Sequence, residues 1–349
     1  MSKLIASSVT SLLLLVGLNE LVLSTDYQSG LNLRVEESTS LHMETTAFEV
    51  LRNGEPMDMG DYGTGGSSDE RTIVTVERVL EATDGSPTKV RREFVSVEGS
   101  RSSEARGEQL YLCELDGVTL ELSVEDDDLT IEVVEGEEPD DEAVLEGHRL
   151  GLLTDALLPE DSVESGQTWE LDADQVRRVL GVDLNNAMFA RDPNAEGGGR
   201  FGGGGGGRGQ RGPRGGGGGS FGLLRNAEWT ATATLTAVDE EVDGETCARI
   251  EFTLEAEGAL PEREPGGGRP RMFGPANTRP LESTYEIELK GFLLFSVDSR
   301  LPVRLELEGT LGTDTNTIRE RGEMTIEVQR EEVGTLERTV EFTSVEDDA

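Results

Sequence analysis

Apolar and polar residues alternate one for one through long stretches of this chain, and that rhythm dictates extended structure. Val118, Leu120, Leu122 and Val124 are separated by Thr119, Glu121 and Ser123; Ile250, Phe252 and Leu254 by Glu251 and Thr253; Val303, Leu305 and Leu307 by Arg304 and Glu306. A period of two sends successive side chains to opposite faces of a strand, so each stretch reads as half-buried, one face on a core and one in water. Carboxylates dominate the polar face. The formal net charge of -40 therefore coats a sheet rather than filling a tail.

The same reading extends along the chain. Strands are expected around Leu31 to Val50, Ile73 to Val79, Val90 to Val97, Leu110 to Cys113, Val118 to Val124, Leu129 to Val134, Trp229 to Ala237, Cys247 to Ala256, Tyr285 to Phe295, Pro302 to Leu311, Met324 to Val328, and Val340 to Phe342. Asn53-Gly54, Asp84-Gly85 and Asp243-Gly244 supply hairpin turns between them. About a dozen strands joined mostly as neighbouring hairpins make an antiparallel meander the economical topology. The fold class is mainly β (α+β): a large curved antiparallel sheet or open barrel with two helices packed on one face.

The helices are expected near 139–158 and 173–181. Pro139 suits a first helical position, Asp140, Asp141 and Glu142 complement the dipole, and Leu145, His148, Leu152 and Ala156 share a face that ends at Pro159. Gly147 and Gly151 weaken this helix by roughly 1 kcal/mol each, and their spacing lets a neighbouring backbone come close. In the second helix Asp172 can cap with Gln175 reaching back, and Gly181 can terminate it.

Two segments cannot bury apolar area. Residues 191–224 hold a Gly/Arg-rich insertion that reads as disordered, and residues 261–280 form a second, flexible Gly/Pro/Arg-rich loop. Between Arg191 and Gly222 five arginines stand against Asp192 and Glu196, a local +3 in a negative chain. Arginine among glycines beside Phe201 and Phe221 resembles RNA-binding segments that stack on bases. With 71 acidic against 31 basic residues, however, the chain repels nucleic acid and anionic membranes, and a tolerated insertion is the favoured reading. Lys3, Lys89 and Lys290 are the only lysines. An acidic, lysine-poor surface fits saline surroundings, where salt screens repulsion, and fits equally a genome rich in arginine codons.

The N-terminus reads as an export signal spanning residues 1–24. Lys3 precedes the apolar run Leu4 to Leu18, and small Ser24 follows a cleavage point after Val22, so the mature single domain would span 25–349 and be periplasmic or extracellular. A retained anchor is the alternative, and the region has no lipidation cysteine. Cys113 and Cys247 could form one disulfide in an oxidising compartment, but free thiols are favoured because a domain this large needs no staple.

Catalytic patterns are scarce. His42 and His148 are the two histidines and lack metal-helix spacing; neither a G-x-S-x-G elbow nor a Walker loop occurs, and the acidic runs lack the calcium-loop pattern. No cofactor or metal site is expected, and the chain reads as a non-enzyme. GQTWELD at Gly166 to Asp172, the strand Gly244 to Gly258 and the hairpin Gly291 to Gly309 resemble a group of uncharacterised secreted bacterial β-sheet proteins. These in turn resemble periplasmic lipoprotein-carrier open barrels, over residues 160–345. That resemblance implies a curved sheet wrapped around helices with an acyl chain on its concave face, and it carries no functional residue across. The expected function is an exported ligand-binding β-sheet protein whose ligand is an apolar or amphiphilic molecule or a protein partner; the alternative is a structural or interaction protein of the cell envelope with a filled core. A lipid or an envelope component is the expected partner class. Ile250, Phe252, Leu293, Phe295 and Leu152, rather than any carboxylate, are expected to face a ligand.

Overall fold

Long alternating strands must pair, and in the computed structural model they do so in one antiparallel sheet. The described residues are 20–59, 64–104, 107–111, 113–125, 128–140, 142–189, 220–242, 244–260, 277–280, 283–321 and 324–345. Among them fourteen strands occur: β1 (Asn32–Arg52), β2 (Glu55–Pro56), β3 (Gly66–Thr83), β4 (Ser86–Ser103), β5 (Gly107–Tyr111), β6 (Thr119–Glu125), β7 (Asp128–Glu135), β8 (Thr168–Leu171), β9 (Trp229–Val242), β10 (Glu245–Ala259), β11 (Asn277–Pro280), β12 (Thr284–Ser296), β13 (Pro302–Arg321) and β14 (Met324–Ser344). The spatial order is β7-β6-β4-β3-β1-β14-β13-β12-β10-β9-β8, with β2 on β1, β5 on β4 and β11 on β13. Two meanders thus grow outward from a central seam where the first long strand pairs with the last. The sheet is curved and does not close, as the mainly β, open-barrel expectation requires.

Curvature has identifiable causes. The ladders slip at Thr45/Ala47, at Val74/Thr75, at Cys247/Arg249 and at Leu294/Phe295, and each bulge bends its strand. At Gly291 a side chain would run into the Glu306 carbonyl and the Phe252 ring, and at Gly309 into the Glu288 carbonyl, so β12 and β13 cross there at backbone distance. Asn53 and Gly54 (φ 53° and 83°) and Asp84 and Gly85 (φ 51° and 78°) make the tight turns expected of them.

The chain between the two open edges, from β7 to β9, folds back over the sheet. It holds two 3-10 turns (Glu142–Leu145 and Leu153–Leu157) and three short helices, α1 (Ala173–Val179), α2 (Val182–Met188) and α3 (Ser220–Asn226). α1 begins at the expected capping box between Asp172 and Gln175, and Gly181 (φ 59°) separates it from α2. The helix expected over 139–158 is instead two 3-10 turns. Gly147 takes a left-handed φ of 81°, which breaks the helix, and a Cβ there would lie 3.2 Å from the backbone of Asp183 and Leu184. Gly147 is therefore a breaker rather than a weak helical position.

Two further boundaries differ from the sequence reading. The expected disordered insertion 191–224 is ordered at its end, because Phe221 and Leu224 are apolar enough to anchor α3 in the core; residues 191–219 lie outside the described residues. The expected loop 261–280 ends in β11, which pairs with Thr317 to Glu320, while 261–276 lies outside the described residues. Cys113 is a free thiol and Cys247 is buried in β10, so no bridge joins them.

The larger core cluster joins β9, β10, β12, β13, β14 and β1 to α1 and the second 3-10 turn; a smaller one, around Phe94, Leu120, Leu122, Val144 and Met188, joins β3, β4 and β6 to α2. Leu23 belongs to the larger cluster at 1% exposure, and Leu21 exchanges two 2.9 Å backbone hydrogen bonds with Val163. Residues 21–23, at the end of the expected signal, thus pack on the folded body, while residues 1–19 lie outside the described residues. A chain beginning at Thr25 is expected to be less stable than one beginning at Glu20 by about 2–5 kcal/mol, the cost of emptying a buried leucine site. Denaturant midpoints measure this, and equal midpoints would show that Leu23 contributes nothing.

On the outer face, carboxylates stand directly opposite one another. Glu36 faces Glu341, Glu308 faces Glu337, Glu255 faces Glu288 and Glu257 faces Glu286, all exposed. Like charges in register destabilise a ladder, and the screening length shrinks from about 30 Å at 0.01 M salt to about 3 Å at 1 M. The melting temperature is therefore expected to climb across that range of sodium chloride. A flat or falling profile would mean that the opposed glutamates cost nothing.

Candidate functional site

The inward face of the sheet is apolar except near the seam. Leu33, Val35, Leu41 and Met43 of β1 point inward, but so does Glu37; Leu336, Val340 and Phe342 of β14 do, but so does Arg338. On β3 and β4 the intruders are Arg71, Glu77 and Arg92, all buried. A charge on a core face must be paired, since an isolated one would cost several kcal/mol in desolvation.

Each of these charges is paired. Glu37 Oε1 accepts from Arg338 Nη1 at 2.6 Å and from Asn185 Nδ2 of α2 at 3.2 Å, and Arg338 Nη1 also donates to Thr39 at 3.1 Å. Nε and Nη2 of Arg338 are buried without a partner, Nη2 lying beneath Gly181, where a Cβ would sit 2.8 Å away. Arg92 grips both oxygens of its cross-strand neighbour Glu77 at 2.9 and 3.1 Å, and donates to His148 Nδ1 at 3.1 Å and the Arg149 carbonyl at 3.0 Å. Arg71 pairs with Asp69 at 2.7 Å and stacks on Phe221 at 3.8 Å and Phe189 at 4.9 Å. Phe221, which in sequence resembled a base-stacking residue, thus stacks on an interior arginine.

His148 is held by these contacts in one state. A guanidinium offers only donors, so Nδ1 must accept and Nε2 carries the proton, which it donates to the Val144 carbonyl at 3.3 Å. Burial, and then the charge of Arg92, push its pKa down to about 3. At the other end of the belt Asp155 accepts from the Thr25 and Tyr27 hydroxyls, both at 2.6 Å, and Tyr27 in turn accepts from the Leu152 amide at 2.7 Å. Burial raises the Asp155 pKa against these hydrogen bonds, and burial with the Asp155 charge raises that of Tyr27.

Between this belt and the helical segment lies a cavity of about 380 Å³. Its floor is the sheet, with Val35, Ile73, Phe94 and Phe342 beside the paired Glu37, Glu77 and Arg92; its roof is Gly147, Arg149 to Leu153, Asp155 and the α1–α2 region around Arg177, Arg178, Gly181 and Leu184. That volume falls within the roughly 300–1,000 Å³ of small-molecule pockets, and apolar walls with a few placed polar groups are their usual lining.

Of the five residues expected to face a ligand, Leu152 lines this cavity. Ile250, Phe252, Leu293 and Phe295 come together in the larger core cluster at 0–3% exposure, away from the cavity wall. The charged strand residues of the wall, Glu37, Glu77 and Arg92, were missed, although their signal was legible: each is a charged residue in phase with apolar neighbours. Chemically the arrangement is stiff. Both nitrogens of His148 are engaged, Glu37 and Glu77 are committed to arginines, and burial raises the Cys113 thiol pKa away from the reactive thiolate. Among the described residues no group of three or more His, Cys, Asp or Glu side chains could hold a metal ion. No described helix is long and apolar enough to cross a membrane.

No family model and no curated protein matches this chain. Solved structures that align with it include lipovitellin, from a study of its lipid–protein interactions (8% identity, TM-score 0.37, covering 93% of this chain and 26% of that one). Another is the InvG secretin-domain β-barrel from the Salmonella SPI-1 injectisome (8% identity, TM-score 0.17, covering 92% and 65%). The chain therefore spans about a quarter of the first and under two thirds of the second. At such scores the likeness says nothing about a ligand.

The His148 environment sets a pH dependence. Below its ordinary value of 6.5 the unfolded chain takes up a proton that the folded histidine refuses until about 3, so acidification across that window removes stability. For one proton the slope is at most about 1.4 kcal/mol per pH unit. In His148→Gln the amide can accept from Arg92 and donate to Val144 but does not titrate, so its stability is expected to fall less steeply than that of the wild type between pH 6.5 and 3. Parallel curves from denaturant unfolding would show that His148 protonates in place.

Proposed function

We propose that this chain is an exported, non-enzymatic β-sheet protein that takes an apolar or amphiphilic ligand into the cavity beneath its helical segment. The observation that carries this reading is the cavity itself. Its floor is a preformed sheet surface, apolar but for charges already neutralised by their own partners, so little reorganisation opposes ligand entry. Export belongs to the same proposal, with any leader removed on the N-terminal side of Leu21, whose backbone is tied to Val163.

The filled cluster around Ile250, Phe252, Leu293 and Phe295 favours a second reading, a structural or interaction protein of the envelope. The two readings differ in uptake. Native mass spectrometry of the purified chain, followed by titration with a fluorescent fatty acid, is expected to show a bound small molecule and saturable uptake. Leu184→Trp, which adds bulk at a half-buried wall position, is expected to abolish uptake while leaving the melting temperature close to that of the wild type. Absence of uptake by the wild type would leave the structural reading standing.

A further inference from the structure

Positive charge is outnumbered in this chain, yet several arginines gather at this cavity. Against a total of 71 acidic and 31 basic residues, four arginines line one small space: Arg92, Arg149, Arg177 and Arg178. Arg92 is saturated by Glu77, His148 and the Arg149 carbonyl, and Arg177 pairs with Asp174. Arg149 and Arg178 are different. Both are exposed, and among the described residues neither side chain makes a hydrogen bond or an ion pair. They lie close enough that the charge of Arg178, after burial, lowers the Arg149 pKa; Asp183 and Asp174 act weakly in the other direction, and Asp183 is itself paired with Arg225 at 3.1 Å.

We propose that Arg149 and Arg178 bind the anionic head group of a single-tailed amphiphile whose tail lies in the cavity. The inference rests on the ligand-binding reading above and names its ligand class. Two like charges without a counter-charge repel each other, and a carboxylate or phosphate between them removes that repulsion while accepting forked hydrogen bonds. The tail meets Val35, Ile73, Phe94, Leu152 and Phe342. Polarity inside the wall sets the orientation: Glu37 and Glu77 already occupy the arginines they face and Asp155 adds a further carboxyl, so an anionic head finds no free cation in the interior and finds two at the exposed arginines. The volume of about 380 Å³ is at the small end of ligand pockets, which suits one tail rather than two.

Calorimetric titration of the full chain with dodecanoate, dodecyl phosphate, dodecanol and dodecyltrimethylammonium, below their micelle concentrations, tests this. Dodecanoate and dodecyl phosphate are expected to bind about fivefold to tenfold more tightly than the neutral and cationic probes, and this margin is expected to shrink with added salt. A preference between the two anions assigns the head as carboxylate or phosphate, both within the proposal. In the Arg149→Gln, Arg178→Gln double variant the margin is expected to vanish while dodecanol binding stays unchanged; both residues are exposed, so the fold is retained, as a melting curve checks. Equal binding of all four probes, or a margin that survives in the double variant, overturns the head-group assignment and leaves the cavity reading intact. Binding of none of the four overturns both.

Discussion

The seam between β1 and β14 is the constraint on which the molecule depends. Everything else in the sheet is a hairpin or a neighbouring pair, but this ladder joins residues about as far apart as the chain allows, Glu37 and Arg338 among them. Closing so long a loop costs entropy before any contact rewards it, so the central pairing must be specified strongly. The buried ion pair supplies that specification. In the observed register Thr39 faces Arg338 and Glu37 faces Val340, which puts acid and base on the same inward diagonal. A slip of one residue would send Glu37 to the outer face and leave Arg338 buried without its carboxylate, a cost of about 3–5 kcal/mol.

The same charges explain why the interior has a cavity where it does. Apolar side chains from both meanders fill the space on either side, giving two clusters instead of one. Between them Glu37, Arg338, Glu77, Arg92 and His148 are fixed by directional hydrogen bonds and cannot slide to fill gaps as leucines do. The roof meets this belt through glycines, Gly147 against α2 and Gly181 against Arg338, which let backbone approach but supply no side chain to occupy volume. Space left between a rigid polar floor and a side-chain-poor roof is the physical origin of the site.

Much of the fold was legible because a period of two is a geometric statement about a strand: the rhythm of Val118 to Val124 or Ile250 to Leu254 has no other economical reading. The capping box at Asp172 and Gln175 was legible for the same reason, since its reach is local. What the sequence hid was long-range. Leu145, His148, Leu152 and Ala156 keep helical spacing, yet Gly147 adopts a left-handed φ because α2 presses against it, and no local pattern announces that neighbour. Phe221 looked like part of a polar insertion because the arginine that stacks on it lies 150 positions earlier. Of the residues expected to face a ligand, Leu152 lines the cavity, while Ile250, Phe252, Leu293 and Phe295 lie in the larger core cluster. Glu37, Glu77, Arg92 and Arg338 carried the better signal, each a charge where the alternation calls for an apolar side chain.

That signal also bears on why arginine so outnumbers lysine. On the outer face the opposed glutamates need only solvent and salt, and either cation would serve there. Inside, the choice is constrained. Arg92 makes a two-point grip on Glu77 while reaching His148 and a backbone carbonyl, four contacts that a compact ammonium on a flexible stem cannot make together. Arg71 uses the flat face of its guanidinium against Phe221 while its edge holds Asp69, which again requires a planar cation. Genome composition and a saline habitat would each act on the surface and the interior alike. At these buried positions the fold itself demands arginine, because a planar, always-charged fork can be taken out of water and still satisfy a carboxylate together with an imidazole, as Arg92 does, or together with an aromatic ring, as Arg71 does.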